Sequence, residues 1–245
     1  GATIEYAMAG SGAPPIVLIN GAGGPLEGWF RVWESLAAIS SVVAYNRPGI
    51  GRSTGPSQPQ TGDVVVLTLH SLLEELGLRP PFVIVGHSLG GLFANLFARS
   101  YPSETAGVVF IGSAAPEDPA LMDEHSTRFQ RFVRRVVDAV FGRDPLGEAA
   151  CVPQTVEMIR RAGAFPPVPV AVISGGKPAR GVPAAVRDAR ARHQARLAAL
   201  SPSGTHVVAR KSGHFPQISE PHLVVEAVRS VVAAVRAGDY RLGEH

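Results

Sequence analysis

The sequence predicts an α/β domain, with a mostly parallel central sheet and helices on both faces. Short apolar runs rich in valine and isoleucine alternate with longer segments of helical period, the pattern of βαβ units. Several of these runs are apolar throughout, as central strands covered on both faces must be. One of them passes straight into a serine between glycines and then into a helical pattern, "FVIVGHSLGGLFANLFARS" from Phe82 to Ser100. Such a strand–turn–helix junction belongs to an open α/β sheet.

Taken in order, strands are expected at 3–8, 16–19, 42–45, 82–85, 108–111, 168–173 and 206–209. Helices are expected between them at 30–38, 63–76 and 89–99, and a last one at 221–236. That last helix opens on Pro221, whose missing N–H costs nothing at a first helical position. Its Leu223, Val224, Ala227, Val228, Val231, Val232 and Val235 share one face. The span from about 116 to 166 has no strand pattern, but Phe129, Phe132, Val133, Val136, Val137, Val140 and Phe141 recur at three- and four-residue spacing. It reads as a helical insertion over the sheet edge where open α/β sheets bind ligands, a cap on a single domain covering 1–245. A further packing helix is the plainer alternative. "GPSQPQTG" from Gly55 to Gly62 reads as a surface loop.

Composition bounds the rest. A chain of 245 residues with 45% hydrophobic content can bury one large core. A formal net charge of +3 is too small to argue for nucleic acid, although a small anionic ligand stays open. The single cysteine, Cys151, cannot form an internal disulfide and reads as a small packing residue, which suits a reducing compartment. No apolar run approaches the roughly 18 to 20 residues of a membrane span, and no charged-then-apolar leader precedes the first strand pattern. The expectation is a cytoplasmic protein with no membrane or nucleic-acid partner.

A strand that reverses into a helix within a few residues forces its turning residue into a strained backbone, tolerable only beside residues without bulk. Gly86 and Gly90 flank Ser88 in this way. Its hydroxyl would project above the sheet edge, with the free N–H groups of the following helix behind it. A serine hydroxyl needs a base within hydrogen-bond reach. Of the eight histidines, His87 adjoins the serine but should point away across the turn, and most others sit on helical or terminal segments. His214, in "ARKSGHFPQISEP", follows the last strand on a loop, so it shares Ser88's sheet edge. An oxyanion hole would combine the Leu89 N–H with one from "NGAGG" at 20–24, where Ala22 is favoured by position. The glycines fit neither a P-loop nor a dinucleotide fingerprint, and neither cofactor nor metal is expected.

Together these motifs resemble the α/β-hydrolase fold superfamily over nearly the whole chain. "GHSLGG" is similar to the nucleophile elbow, and "NGAGG" to the His-Gly-x-Gly-type oxyanion loop with Asn20 in place of histidine. "YNRPGIGRS" is similar to the Asp-x-Arg-Gly-x-Gly-x-Ser loop with Asn46 in place of aspartate, a position read as structural. "SGHF" resembles the catalytic-histidine loop. The resemblance implies a Ser88–His214 pair and makes the aspartate-nucleophile relatives a poor match.

The third triad member departs from the pattern. Most relatives carry an acid after the penultimate strand, where this chain reads "VAVISGGKPARG"; some carry it after the preceding strand, where Gly112 stands. Glu117 or Asp118 folding back toward His214 is one reading. Asp188 is a weaker one, and orientation of the imidazole by Ser113, a backbone carbonyl or water is another. The arginines at 128, 131, 134, 135 and 143, and at 180, 187, 190, 192 and 196, read as solvated faces or as attraction for an anionic substrate. The expected activity is a cofactor-free serine hydrolase of a small to medium carboxylic ester, lactone or thioester. The alternatives are a non-hydrolytic lyase- or oxygenase-type relative and a ligand-binding relative with impaired catalysis.

Overall fold

In the computed structural model the described residues are 3–118, 147–177 and 182–238. Seven strands form one sheet: β1 (Tyr6–Ala9), β2 (Ile16–Ile19), β3 (Val42–Tyr45), β4 (Phe82–His87), β5 (Thr105–Ile111), β6 (Val170–Gly175) and β7 (Thr205–Ala209). Their spatial order is β1-β3-β2-β4-β5-β6-β7. Only β1 is antiparallel, paired with β3 through Tyr6–Tyr45 and its neighbours; the remaining pairs are parallel. From β2 the chain moves to one side for β3 and then to the other for β4. The order therefore reverses between β2 and β4, whose carboxyl ends are the usual ligand position in such sheets.

Alternation along the strands feeds two cores. Val17 and Ile19 of β2 face one layer and Ile16 and Leu18 the other, all four fully buried. The first layer contains α2 (Gly62–Glu75), α3 (Gly90–Ser100), α4 (Val152–Arg161) and α5 (Ala184–Ala198). The second contains α1 (Trp33–Ala37) and α7 (Pro221–Ala237), with the short α6 (Pro216–Ser219) leading into α7. α2 buries Val65, Val66, Leu69, Leu72 and Leu73, a single stripe at helical spacing. α7 begins at Pro221, as its sequence suggests, and ends at Gly238, whose φ of 72° caps the last turn.

Several boundaries differ from expectation for physical reasons. The helix expected at 30–38 is a 3-10 turn, Leu26–Trp29, followed by the short α1. The buried Trp29, Val32 and Leu36 keep helical spacing across both pieces, so the apolar pattern survives the break. β4 runs two residues past Val85, because Gly86 and His87 still pair with Phe110 and Ile111 of β5. The first strand begins only at Tyr6, since the chain before it is held by Glu5 contacts with the 46–53 loop. α5 buries only Val186, Ala189, His193, Gln194, Leu197 and Ala198. Its stripe is thin and partly polar, which is why no bounded helix was expected there.

The expected cap spans 116–166. Its central stretch, 119–146, with Phe129 to Phe141 and the arginines at 128 to 143, lies outside the described residues, as does Arg180. At its C-terminal end, α4 is part of the sheet's first core layer: Thr155, Val156 and Ile159 are buried and the helix packs on α2 and α3. Cys151, just before α4, is buried. Ile159→Ala is expected to cost about 2–5 kcal/mol of stability, read from denaturant titration. A loss below about 1 kcal/mol would show that α4 is peripheral to the fold.

Candidate active site

The reversal after β4 dictates the site. Ser88 is the only non-glycine residue with positive φ, 53°, among the described residues. The turn can be this sharp because strand and helix almost touch: a Cβ on Gly86 would lie 2.5 Å from the Gly90 carbonyl oxygen, and one on Gly90 2.2 Å from that of Ile19. Ser88 N–H donates to Ile111 O at 3.1 Å, which ties the corner to β5. The side chain stands half-buried at the carboxyl end of β4, the strand that pairs with β2.

Ser88 Oγ and His214 Nε2 lie 2.9 Å apart, although 126 residues separate them. The His214 loop reaches this position because β6 ends in glycine: a Cβ on Gly175 would lie 1.7 Å from Gly213 O. Glu220, buried at the head of α7, accepts from Ser212 Oγ at 2.6 Å and from Lys211 N–H at 2.8 Å, closing the loop from behind. Neither Gly175 nor Glu220 carries a motif that would single it out in sequence.

His87 corrects an expectation. Its ring does not turn away but lies 5.1 Å from the His214 ring, enclosed also by Phe215 and Trp29. Its Nε2–H donates to the His214 carbonyl at 2.9 Å, which leaves Nδ1 as a buried lone pair with no partner among the described residues. Burial lowers its pKa to about 4, against a raising influence from the His214 carbonyl, so it is neutral at physiological pH. For His214, desolvation is the largest influence, followed by His87 and the Arg190 guanidinium on α5; together they hold it well below the ordinary histidine value. His214 is therefore an uncharged imidazole at neutral pH.

The carboxylates proposed from sequence are placed elsewhere. Asp118 Oδ1 accepts from His193 Nδ1 at 2.7 Å, and its other oxygen accepts from Ala115 N–H at 2.8 Å. Glu117 faces Arg196 at 3.6 Å. Both contacts tie α5 to the loop after β5, assisted by Gln194 Nε2 donating to Ser113 O. Local charge pairing with α5 thus outcompetes a reach toward His214. Ser113 Oγ donates to Gly86 O at 2.8 Å and supports the elbow rather than the imidazole. At Gly112, with φ 50°, a Cβ would lie 3.8 Å from His214 Nδ1. The slot that carries the acid in some relatives is therefore beside the imidazole and holds no side chain. Two further described histidines are engaged away from the site, His70 with Glu104 and His206 with Ser174.

The two amides expected to face an oxyanion have their carbonyl sides held. Ser88 O accepts from Gly91 N–H at 3.0 Å and Ala114 N–H at 2.9 Å, on the peptide whose N–H is that of Leu89. In the facing loop Gly21 N–H lies 3.3 Å from its neighbour's Asn20 Oδ1, Gly23 N–H donates to Glu148 and Gly24 N–H to Gly21 O. Neither Ala22 nor Leu89 N–H has an acceptor among the described residues. A Cβ on Gly21 would lie 3.0 Å from Ser88 Cβ, so the loop rests against the serine. Asn20, in the family's histidine position, donates through Nδ2 to Pro25 O and folds the loop on itself.

Asn46 departs from the family's aspartate for a visible reason. It accepts from Leu26 N–H at 2.7 Å and donates to Glu5 Oε2 at 2.8 Å, and an aspartate could not make the second bond. No group of three or more His, Cys, Asp or Glu among the described residues is placed to hold a metal ion, and no described helix is long and apolar enough to cross a membrane. A surface cleft of about 290 Å³ beside α2, lined by Asp63, Leu67, Ser100 and Tyr101 among others, touches neither Ser88 nor His214.

Comparison with known proteins bears on the family and the fold. The uncharacterized protein YqjL of Bacillus subtilis is 26% identical over 235 residues, covering 92% of this chain and 86% of that one. The (lyso)-N-acylphosphatidylethanolamine lipase of Mus musculus is 28% identical over 114 residues, 43% of this chain; the match spans only 33% of the lipase, and with an uncharacterized Schizosaccharomyces pombe protein only 18%. Among solved structures, a thermophilic esterase from Thermogutta terrifontis shares the fold with a TM-score of 0.72 at 22% identity, over 96% of this chain and 94% of that one. The sequence profile of the alpha/beta hydrolase fold matches residues 14–148, more than half of the protein, and the chain belongs to that family.

Proposed function

We propose that the protein is a serine hydrolase that cleaves a small to medium carboxylic ester, lactone or thioester through an acyl-enzyme on Ser88. The observation that carries this reading is the 2.9 Å approach of Ser88 Oγ to His214 Nε2, beside two amides without internal acceptors. The esterase and lipase activities named for similar proteins support hydrolysis in general.

The chemistry follows from the protonation state. Neutral His214 carries its proton on Nδ1 and accepts the Ser88 proton at Nε2 as Oγ attacks the carbonyl carbon. Negative charge gathers on the carbonyl oxygen, where the Ala22 and Leu89 amides receive it; one such donor is typically worth about 2.7–4 kcal/mol in the transition state. The imidazolium then protonates the leaving oxygen or sulfur, the acyl–Ser88 ester remains, and water attacks it with His214 again as base. The proposed substrate is a small molecule, and Arg190 acts on His214 electrostatically.

A second reading has its own support: no carboxylate bonds His214 Nδ1 among the described residues. A triad acid orients the base and stabilises its cation, and its loss can cost roughly 10⁴ in turnover. A non-hydrolytic acid–base enzyme, or a ligand-binding relative with impaired catalysis, asks less of that imidazole.

A burst of p-nitrophenol from p-nitrophenyl esters is expected, with Ser88→Ala lowering turnover about 10⁴-fold or more. Activity that resists fluorophosphonate labelling of Ser88 would favour the non-hydrolytic reading, and thermal stabilisation by a ligand without turnover the binding one. The pH profile adds a separate expectation. Because the neutral imidazole is the working form and its pKa is lowered, the acid limb of kcat/KM lies below the ordinary histidine value of 6.5. Removing the nearby positive charge in Arg190→Gln moves that limb upward, and an unmoved limb would show that Arg190 does not act on His214.

A further inference from the structure

Resting on the serine-hydrolase reading, we infer that Arg47, held by Glu148, is a positioning residue that aims the Ala22 N–H into the oxyanion hole. Neither residue was singled out by the sequence for a role at the site, and neither touches Ser88 or His214.

The argument starts from the planarity of the peptide. The Gly21 C=O and the Ala22 N–H belong to one trans unit, so a group that fixes the carbonyl on one side fixes the N–H on the other. Arg47 Nη2 donates to Gly21 O at 2.6 Å, and Nη1 donates to Asn20 O at 2.7 Å. The guanidinium therefore grips two successive carbonyls at the back of the loop whose front rests on Ser88. A positive charge on the carbonyl oxygen also polarises that peptide and strengthens its N–H as a donor. A lysine, a point charge without the fork, could not hold both carbonyls at once.

Glu148 fixes the guanidinium. Its carboxylate takes the Arg47 Nε–H on one oxygen and Nη2–H on the other at 2.9 Å, a two-point pair with both side chains buried. The second oxygen also accepts Gly23 N–H at 2.9 Å. The amides on either side of Ala22 are thus committed elsewhere, and the one left without an acceptor among the described residues is that of Ala22 itself. Phe93 lies under the guanidinium, 5.4 Å from its centre to the ring. Desolvation opposes charge on both partners, but mutual attraction outweighs it: Arg47 is raised above its ordinary pKa and Glu148 lowered. A buried ion pair is a poor source of stability, since apolar side chains of similar volume often do as well. Its three bonds to the oxyanion loop give this pair a different use.

The test is the double variant Arg47→Met/Glu148→Met, which removes both charges together and leaves no buried ion unpaired. Steady-state kinetics with a p-nitrophenyl ester are expected to show kcat reduced about 10²-fold with KM changed only a few-fold. Labelling of Ser88 by a fluorophosphonate is expected to slow in parallel, with the acid limb of the pH profile unmoved. A folded double variant with kcat within about twofold of the parent would overturn the inference, as would a loss of activity that merely follows the unfolded fraction measured by circular dichroism. A measurement on the parent protein covers the case of a variant that does not fold. When the phosphonyl oxygen of the Ser88 adduct occupies the hole, the Ala22 amide proton moves downfield with that of Leu89, and an unmoved Ala22 proton overturns the inference. A parent protein that neither turns over esters nor labels at Ser88 would instead sink the hydrolase reading itself.

Discussion

The structure depends on one backbone constraint, the left-handed corner at Ser88 between β4 and α3. Holding a serine at φ 53° requires neighbours that over-determine the conformation. They are visible: Ser88 N–H on Ile111 O, Ser88 O on two amides, and the glycines at 86, 90 and 91 that let β2, α3 and the loop after β5 meet without side chains between them. The strain is localised where the hydroxyl must leave the sheet. The two core layers supply the rigidity that keeps it there, and the same corner supplies the Leu89 amide.

Around that corner, the electrostatics are unusual in what they lack. Two neutral histidines lie side by side, one bonded to the other's backbone, with an arginine's charge beyond them and no carboxylate bonded to either among the described residues. Fixed positive charge and burial both disfavour the imidazolium that a serine mechanism forms in passing. Among the described residues the buried carboxylates are committed elsewhere: Asp118 to His193, Glu148 to Arg47, and Glu220 to the Ser212 hydroxyl and Lys211 amide. Among the described residues these carboxylates organise loops rather than the base, and the contacts of the His214 ring are Ser88 Oγ and the rings of His87 and Phe215.

Much of this was legible in the residues. Strand positions followed from uniformly apolar runs, because a strand buried on both faces has no polar side to show. Ser88 followed from glycine spacing at a strand–helix junction, and His214 from the rule that loops after parallel strands share one sheet edge. What was not legible depends on partners far away in sequence. Asp118 follows the loop after β5, a few residues beyond the Gly112 slot, yet whether it meets His214 or His193 is decided by where α5 docks. His87 was misplaced because a strand that extends two residues further turns its side chain toward the last loop. Arg47 and Glu148 stand 101 residues apart, and although Arg47 lies in a quoted family motif, nothing local pairs it with Glu148.

By itself, then, the sequence determined the class of the sheet, the strained serine, the polarity of the edge on which a base must lie and the absence of a carboxylate from the two familiar slots. These are local matters, set by backbone sterics and by the period of apolar residues. Tertiary structure alone decided which buried charges pair, which peptide carbonyls are gripped from behind and which amides are left free to face a substrate. Those outcomes rest on distances of a few ångströms between segments a hundred residues apart, and desolvation makes each pairing all-or-none in a way that no local pattern records.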